Sequence, residues 1–122
     1  MLACIALSLF VASAVHLFGH VQGRAGIYHA DDAGIAEALI GVVLAAGAAV
    51  MARSPGRARA VGLAATGFAI AGFGVGLTIT AEGGHAPDIA YHVTVLPILI
   101  ATFIVLLLRG SPRAARRAPV VG

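Results

Sequence analysis

Four stretches, residues 2–21, 34–52, 60–81 and 89–108, contain no Asp, Glu, Lys or Arg apart from Glu37. Each runs for about 20 residues, enough for a helix rising 1.5 Å per residue to cross a hydrocarbon core of about 30 Å. The pattern predicts four transmembrane helices joined by short loops, which force antiparallel neighbours. The expected fold is therefore an all-α integral membrane four-helix bundle of up-down topology. The longest remaining pieces, residues 22–33 and the basic tail 109–122, are too short to fold separately, so residues 1–122 read as one transmembrane domain. With 60% hydrophobic and 11% charged residues and a mean hydropathy of +0.99, the composition excludes both an ordinary soluble domain and a disordered chain.

The formal net charge of +3 and pI near 10.0 invite a nucleic-acid reading, which the placement of the charges removes. Arg53, Arg57, Arg59, Arg109, Arg113, Arg116 and Arg117 all belong to one face of the expected bundle, with no acid among them. The other face carries Arg24 against Asp31, Asp32, Glu37, Glu82 and Asp88. With histidines neutral these are +7 and −4, which together make the +3. The positive-inside rule then places both termini in the cytoplasm and the acidic loops outside, in a multi-pass protein of the cell membrane. The high pI reports orientation in a lipid bilayer, and no nucleic-acid partner is expected.

Val11-Ala12-Ser13-Ala14 looks like a signal-peptide cleavage site. A basic n-region is missing and the apolar run continues beyond it, so the expectation is an uncleaved first helix. Leu2-Ala3-Cys4 looks like a lipoprotein box with no signal before it. Cys4 is therefore expected to be a small buried residue, and a single cysteine forms no internal disulfide.

Lipid provides no hydrophobic drive for helices to associate, so small residues that permit close backbone approach mark the packing faces. The third span contains Gly62, Gly67, Gly72, Gly74 and Gly76, and the second carries Gly41 and Ala45 on one face. These surfaces are expected to meet protein, either another span of this chain or a second copy in a homodimer or larger membrane complex. Pro97 is expected to kink the fourth span. Asp31, Asp32 and Asp88 suit helix N-termini, with Asp88 as an N-cap.

All five histidines, His16, His20, His29, His85 and His92, belong to the acidic face. His16 and His20 lie four apart on one helix face, a spacing that lets two imidazoles hold one metal ion. His92 is expected at a similar depth in the fourth span. Glu82, His85 and Asp88 follow one another closely, and Glu82 ends its helix at the negative pole, where a carboxylate needs a partner. The candidate metal ligands are His16, His20, His92, Glu82 and His85, with Glu37 and Asp88 as further polar site residues. Such nitrogen and carboxylate donors suit a divalent transition metal. Alternatively, His16 and His92 are spaced to bind a b-type haem as axial ligands.

No H-E-x-x-H, G-x-S-x-G, P-loop or C-x-x-C motif is present, and no serine has a triad context, so no catalytic residue is named and an enzyme is not the expectation. The composition is read first as an accessory or structural subunit of a membrane complex. Metal or haem binding by the outer cluster stands second, and a proton-coupled transporter or sensor third.

Overall fold

The computed structural model describes residues 1–19 and 29–109. They form four helices, α1 (Leu2–Phe18), α2 (Ala30–Arg53), α3 (Ala58–Gly83) and α4 (Ala86–Leu108), packed in chain order as an all-α bundle. The contacts between neighbours show their relative directions. Going along α1 from Phe10 to His16, the partners on α2 move back from Gly41 to Glu37. From Ile40 to Met51 on α2, the partners on α3 move back from Gly72 to Gly62, and from Gly62 to Gly76 on α3 those on α4 move back from Leu106 to His92. Each pair is antiparallel. α1 and α4 close the ring through side chains, among them a Ser8–Tyr91 hydrogen bond of 2.9 Å.

Three helices, α2, α3 and α4, are long and apolar enough to span a membrane, while the described part of α1 is apolar over 17 residues. The outer surface is apolar as well: Leu7 and Val11 on α1, Leu39 and Val42 on α2, Val75 on α3 and Ile104 on α4 are all exposed. Helices that are apolar on every side suit lipid as solvent. The chain is a small helical membrane protein.

Two helices begin earlier than the first apolar residue suggests. α2 starts at Ala30, so Asp31 and Asp32 lie within its first turn, where the helix dipole favours negative charge. α4 starts at Ala86 with Pro87 in its first turn, a position whose missing N–H breaks no intrahelical bond. Asp88 is thereby a first-turn residue and not the N-cap, which is His85. α4 continues unbroken through Pro97 to Leu108. The expected extension of the first span to residue 21 falls outside the described residues, as do His20, Arg24 and the basic tail beyond Arg109.

Each helix turns a seam of residues spaced three and four apart toward the bundle axis. On α1 the seam is Leu2, Ile5, Leu9, Ser13 and His16; on α4 it is Asp88, His92, Val95, Leu99, Thr102 and Leu106. Leu9, Leu44, Ala69 and Leu99, one from each helix, are wholly buried and form the middle of the core. Small residues bring the backbones together. A Cβ on Gly47 would lie 2.8 Å from the Ala65 Cβ, and one on Gly72 would lie 2.6 Å from the Ile40 Cδ1, so neither position holds a larger residue without displacement. The expected packing faces of spans two and three are used inside this chain. Gly74, by contrast, faces open space.

Two buried threonines donate to carbonyls of their own helices, Thr66 to Gly62 and Thr102 to Ile98, the latter at 2.6 Å. At the end remote from the histidines, Arg59 donates from Nε to Leu106 O and from Nη2 to Leu107 O, both at 3.0 Å. It thus supplies donors to two carbonyls that the end of α4 leaves without intrahelical partners. Cys4 is exposed, contrary to the buried position expected for it.

Candidate functional site

The axial seams are not apolar to their ends. Where α1 ends and α2 and α4 begin, the seam residues are His16, Glu37, Asp88 and His92, each less than a tenth exposed. Glu37 occupies the same stripe of α2 as Gly34, Ile40, Gly41 and Leu44, so the periodicity that buries the leucines also buries the carboxylate. Asp88 and His92 are four apart on α4 and share one face.

These side chains touch. His16 Nδ1–H donates to Glu37 Oε2 at 2.7 Å, a short charge-assisted bond between α1 and α2. On the other side of the ring, His16 Nε2 is 3.7 Å from Asp88 Oδ2. Asp88 Oδ1 in turn is 3.5 Å from His92 Nδ1, whose proton goes to the Asp88 backbone carbonyl at 3.0 Å. A carbonyl oxygen only accepts, so Nδ1 carries the proton and Nε2 of the neutral ring is an acceptor. His16, Glu37 and Asp88 each offer one ligand atom within 4.8 Å of the others, close enough to converge on one metal ion.

Two glycines make room for the imidazoles. A Cβ on Gly34 would lie 3.1 Å from the His16 Cβ and closer still to Leu17, and one on Gly76 would lie 2.8 Å from His92 Nε2. Phe73, almost wholly buried, lies beneath His92 with ring centroids 5.1 Å apart, and separates the polar layer from the leucine core. Beside it, Tyr91 donates to Ser8 Oγ, whose own proton goes to the Ile5 carbonyl at 2.8 Å. A cavity of about 450 Å³ opens between α2 and α3, with Glu37, His92 and Thr80 among its lining residues and His29 and Asp32 at its rim. Glu37 Oε1 is buried with no hydrogen-bond partner among the described residues.

The remaining candidates lie elsewhere. Glu82 is exposed near the end of α3, one position off the seam that contains Thr80 and Gly83, and no ion pair engages it among the described residues. His85 is the α4 N-cap, with a buried Nε2 that has no hydrogen-bond partner among the described residues. His29 is exposed before α2, and His20 lies outside the described residues.

The sequence singled out Glu37 and Asp88 as polar sites without pairing either with His16. Their seam spacing with Ile40, Leu44, Val95 and Leu99 was the available signal. The Ser8–Tyr91 link has no such signal, because a serine and a tyrosine in two apolar helices do not announce each other. Compared with protein-family models, curated proteins and solved structures, the chain matches none.

Proposed function

We propose that this membrane protein holds a divalent transition-metal ion at the acidic end of its bundle, through one imidazole nitrogen of His16 and one carboxylate oxygen each of Glu37 and Asp88. The observation that carries the reading is the convergence of these three buried groups from three different helices. Burying ionisable groups in a membrane bundle is costly, and two carboxylates around one imidazole gain most from a cation that all three can share. The borderline donor set of one nitrogen and two oxygens suits zinc, iron(II) or manganese(II). His92, hydrogen-bonded to the Asp88 backbone and close to its carboxylate, acts as a positioning residue for that ligand.

This reading is favoured over a purely structural subunit, for which an apolar layer joining the helices would serve at lower cost. It is also favoured over a haem between His16 and His92. The Asp88 carboxylate stands within 3.7 Å of one ring and 3.5 Å of the other, where a macrocycle would have to separate them. The acidic end is taken to face outward, so that the protein receives its ion from the non-cytoplasmic side, to store, sense or pass on.

Elemental analysis of the purified full chain in mild detergent tests this. The expected result is one equivalent of transition metal, lost in His16→Ala and Asp88→Asn and kept in Glu82→Gln. Absence of a stoichiometric metal, or equal content in all the variants, overturns the proposal.

A further inference from the structure

We infer that the cavity between α2 and α3 is a second site, which binds a lipophilic primary ammonium ion entering sideways from the bilayer. The inference uses features that the metal reading leaves unexplained. At about 450 Å³ the cavity is within the size range of small-molecule pockets. Its walls are apolar, formed by Ala36, Ala71, Gly72, Val75 and Ile79. Ala36, Ala71 and Val75 are exposed on the outer faces of their helices, so the opening lies on the side of the bundle, within the membrane-spanning length. A ligand that first partitions into lipid can reach it.

The polar end of the cavity sets the chemistry. Glu37 is 4% exposed, and its Oε1 has no hydrogen-bond partner among the described residues although Oε2 is engaged by His16. A buried carboxylate oxygen left without a donor is costly, and a donor on the ligand removes that cost. The second polar group is His92, whose Nδ1 donates to the Asp88 carbonyl, so that in the neutral ring Nε2 is left as an acceptor. Nε2 itself lies against Gly76, a lining residue of the same cavity. An alcohol offers one donor and carries no charge. A primary ammonium has three N–H donors to divide between carboxylate and imidazole, and its hydrogen bond to a carboxylate is charge-assisted, roughly twice as strong as a neutral one. Asp32 at the rim adds a negative charge on the approach.

The site shares Glu37 with the proposed metal centre but requires no metal ion, which makes the two separable. The full chain in phosphatidylcholine nanodiscs is titrated calorimetrically with phenethylammonium and, in parallel, with 2-phenylethanol, which has the same apolar body and a neutral hydroxyl. Heats from empty nanodiscs are subtracted. Phenethylammonium is expected to bind one-to-one and at least tenfold more tightly than the alcohol. Glu37→Gln should weaken it by tenfold or more, and Ala71→Phe, which fills the cavity from a position remote from the metal ligands, should abolish it. Amine binding should persist in protein stripped of metal by a chelator, so failure of the metal reading would leave this one standing. Equal affinity for amine and alcohol would show an apolar groove that takes any body, or a lipid chain, and would overturn the proposal. Unchanged binding in Ala71→Phe would overturn it as well.

Discussion

At the scale of single residues, small size matters at some glycines and not at others, and the difference is measurable. Gly76 and Gly74 lie two apart in α3. A Cβ at position 76 would meet His92 Nε2 at 2.8 Å, whereas one at 74 meets nothing within 4 Å. His92 cannot retreat freely, because its Nδ1 is held by the Asp88 carbonyl and its ring packs against Phe73. Gly76→Ala is therefore expected to destabilise the bundle by about 1–3 kcal/mol, the usual cost of overpacking. Gly74→Ala should be neutral or stabilising by up to about 1 kcal/mol, through helix propensity alone. Denaturant titration in detergent micelles, followed by helical circular dichroism, separates them. Equal losses in the two variants would show that Gly76 is not a contact point for the polar layer.

At the scale of elements, the two ends of α4 are held in different ways. Its first turn is tied into the polar layer through Asp88, whereas its last turn depends on Arg59, which reaches across from α3 to two carbonyls. Arg59→Ala should leave those carbonyls without protein donors, so that the last turn of α4 frays and amide exchange speeds up from Val105 onward. Because Arg59 is half-exposed and its bonds compete with water, the loss of global stability should be only about 1 kcal/mol. Unaltered exchange in that turn would mean that lipid or water caps it equally well. The apolar runs gave the number and order of the helices, since a chain of this hydropathy has few alternatives. They misjudged the starts of α2 and α4 because a run counted by absence of charge stops at Asp32 or Asp88, although acids are favoured in a first turn. In the candidate site, seam periodicity accounts for the burial of Glu37 and Asp88 and the exposure of Glu82. The meeting of His16, Glu37 and Asp88 depends on how each helix is rotated about its axis, and so does the gap between α2 and α3. Those rotations are set by contacts such as Gly47 with Ala65 and Gly72 with Ile40, which become visible only when the helices are placed side by side.

At the scale of the whole molecule, charge and chemistry are sorted to opposite ends. Among the described residues, Arg53, Arg57, Arg59 and Arg109 lie where α2 and α4 end and α3 begins. His16, Glu37, Asp88 and His92 lie toward the other end of the same helices. We propose, on the positive-inside rule, that the arginine end is the cytoplasmic one. On that proposal the polar layer, the cavity and the lining residues His29 and Asp32 face the outside or the outer leaflet, where neither a metal ion nor an amine has to cross the bilayer to reach them. Thiol labelling in intact cells checks this, in a Cys4→Ala background because Cys4 is itself exposed. Asp32→Cys is expected to react with a membrane-impermeant maleimide. Gly56→Cys, in the exposed arginine-bearing turn between α2 and α3, should react only after permeabilisation. The opposite pattern would invert the molecule and turn both sites toward the cytosolic pool of metals and amines. The internal geometry would be unchanged, but acquisition from outside would become capture from within. Orientation therefore determines which supply of ligand the cluster samples.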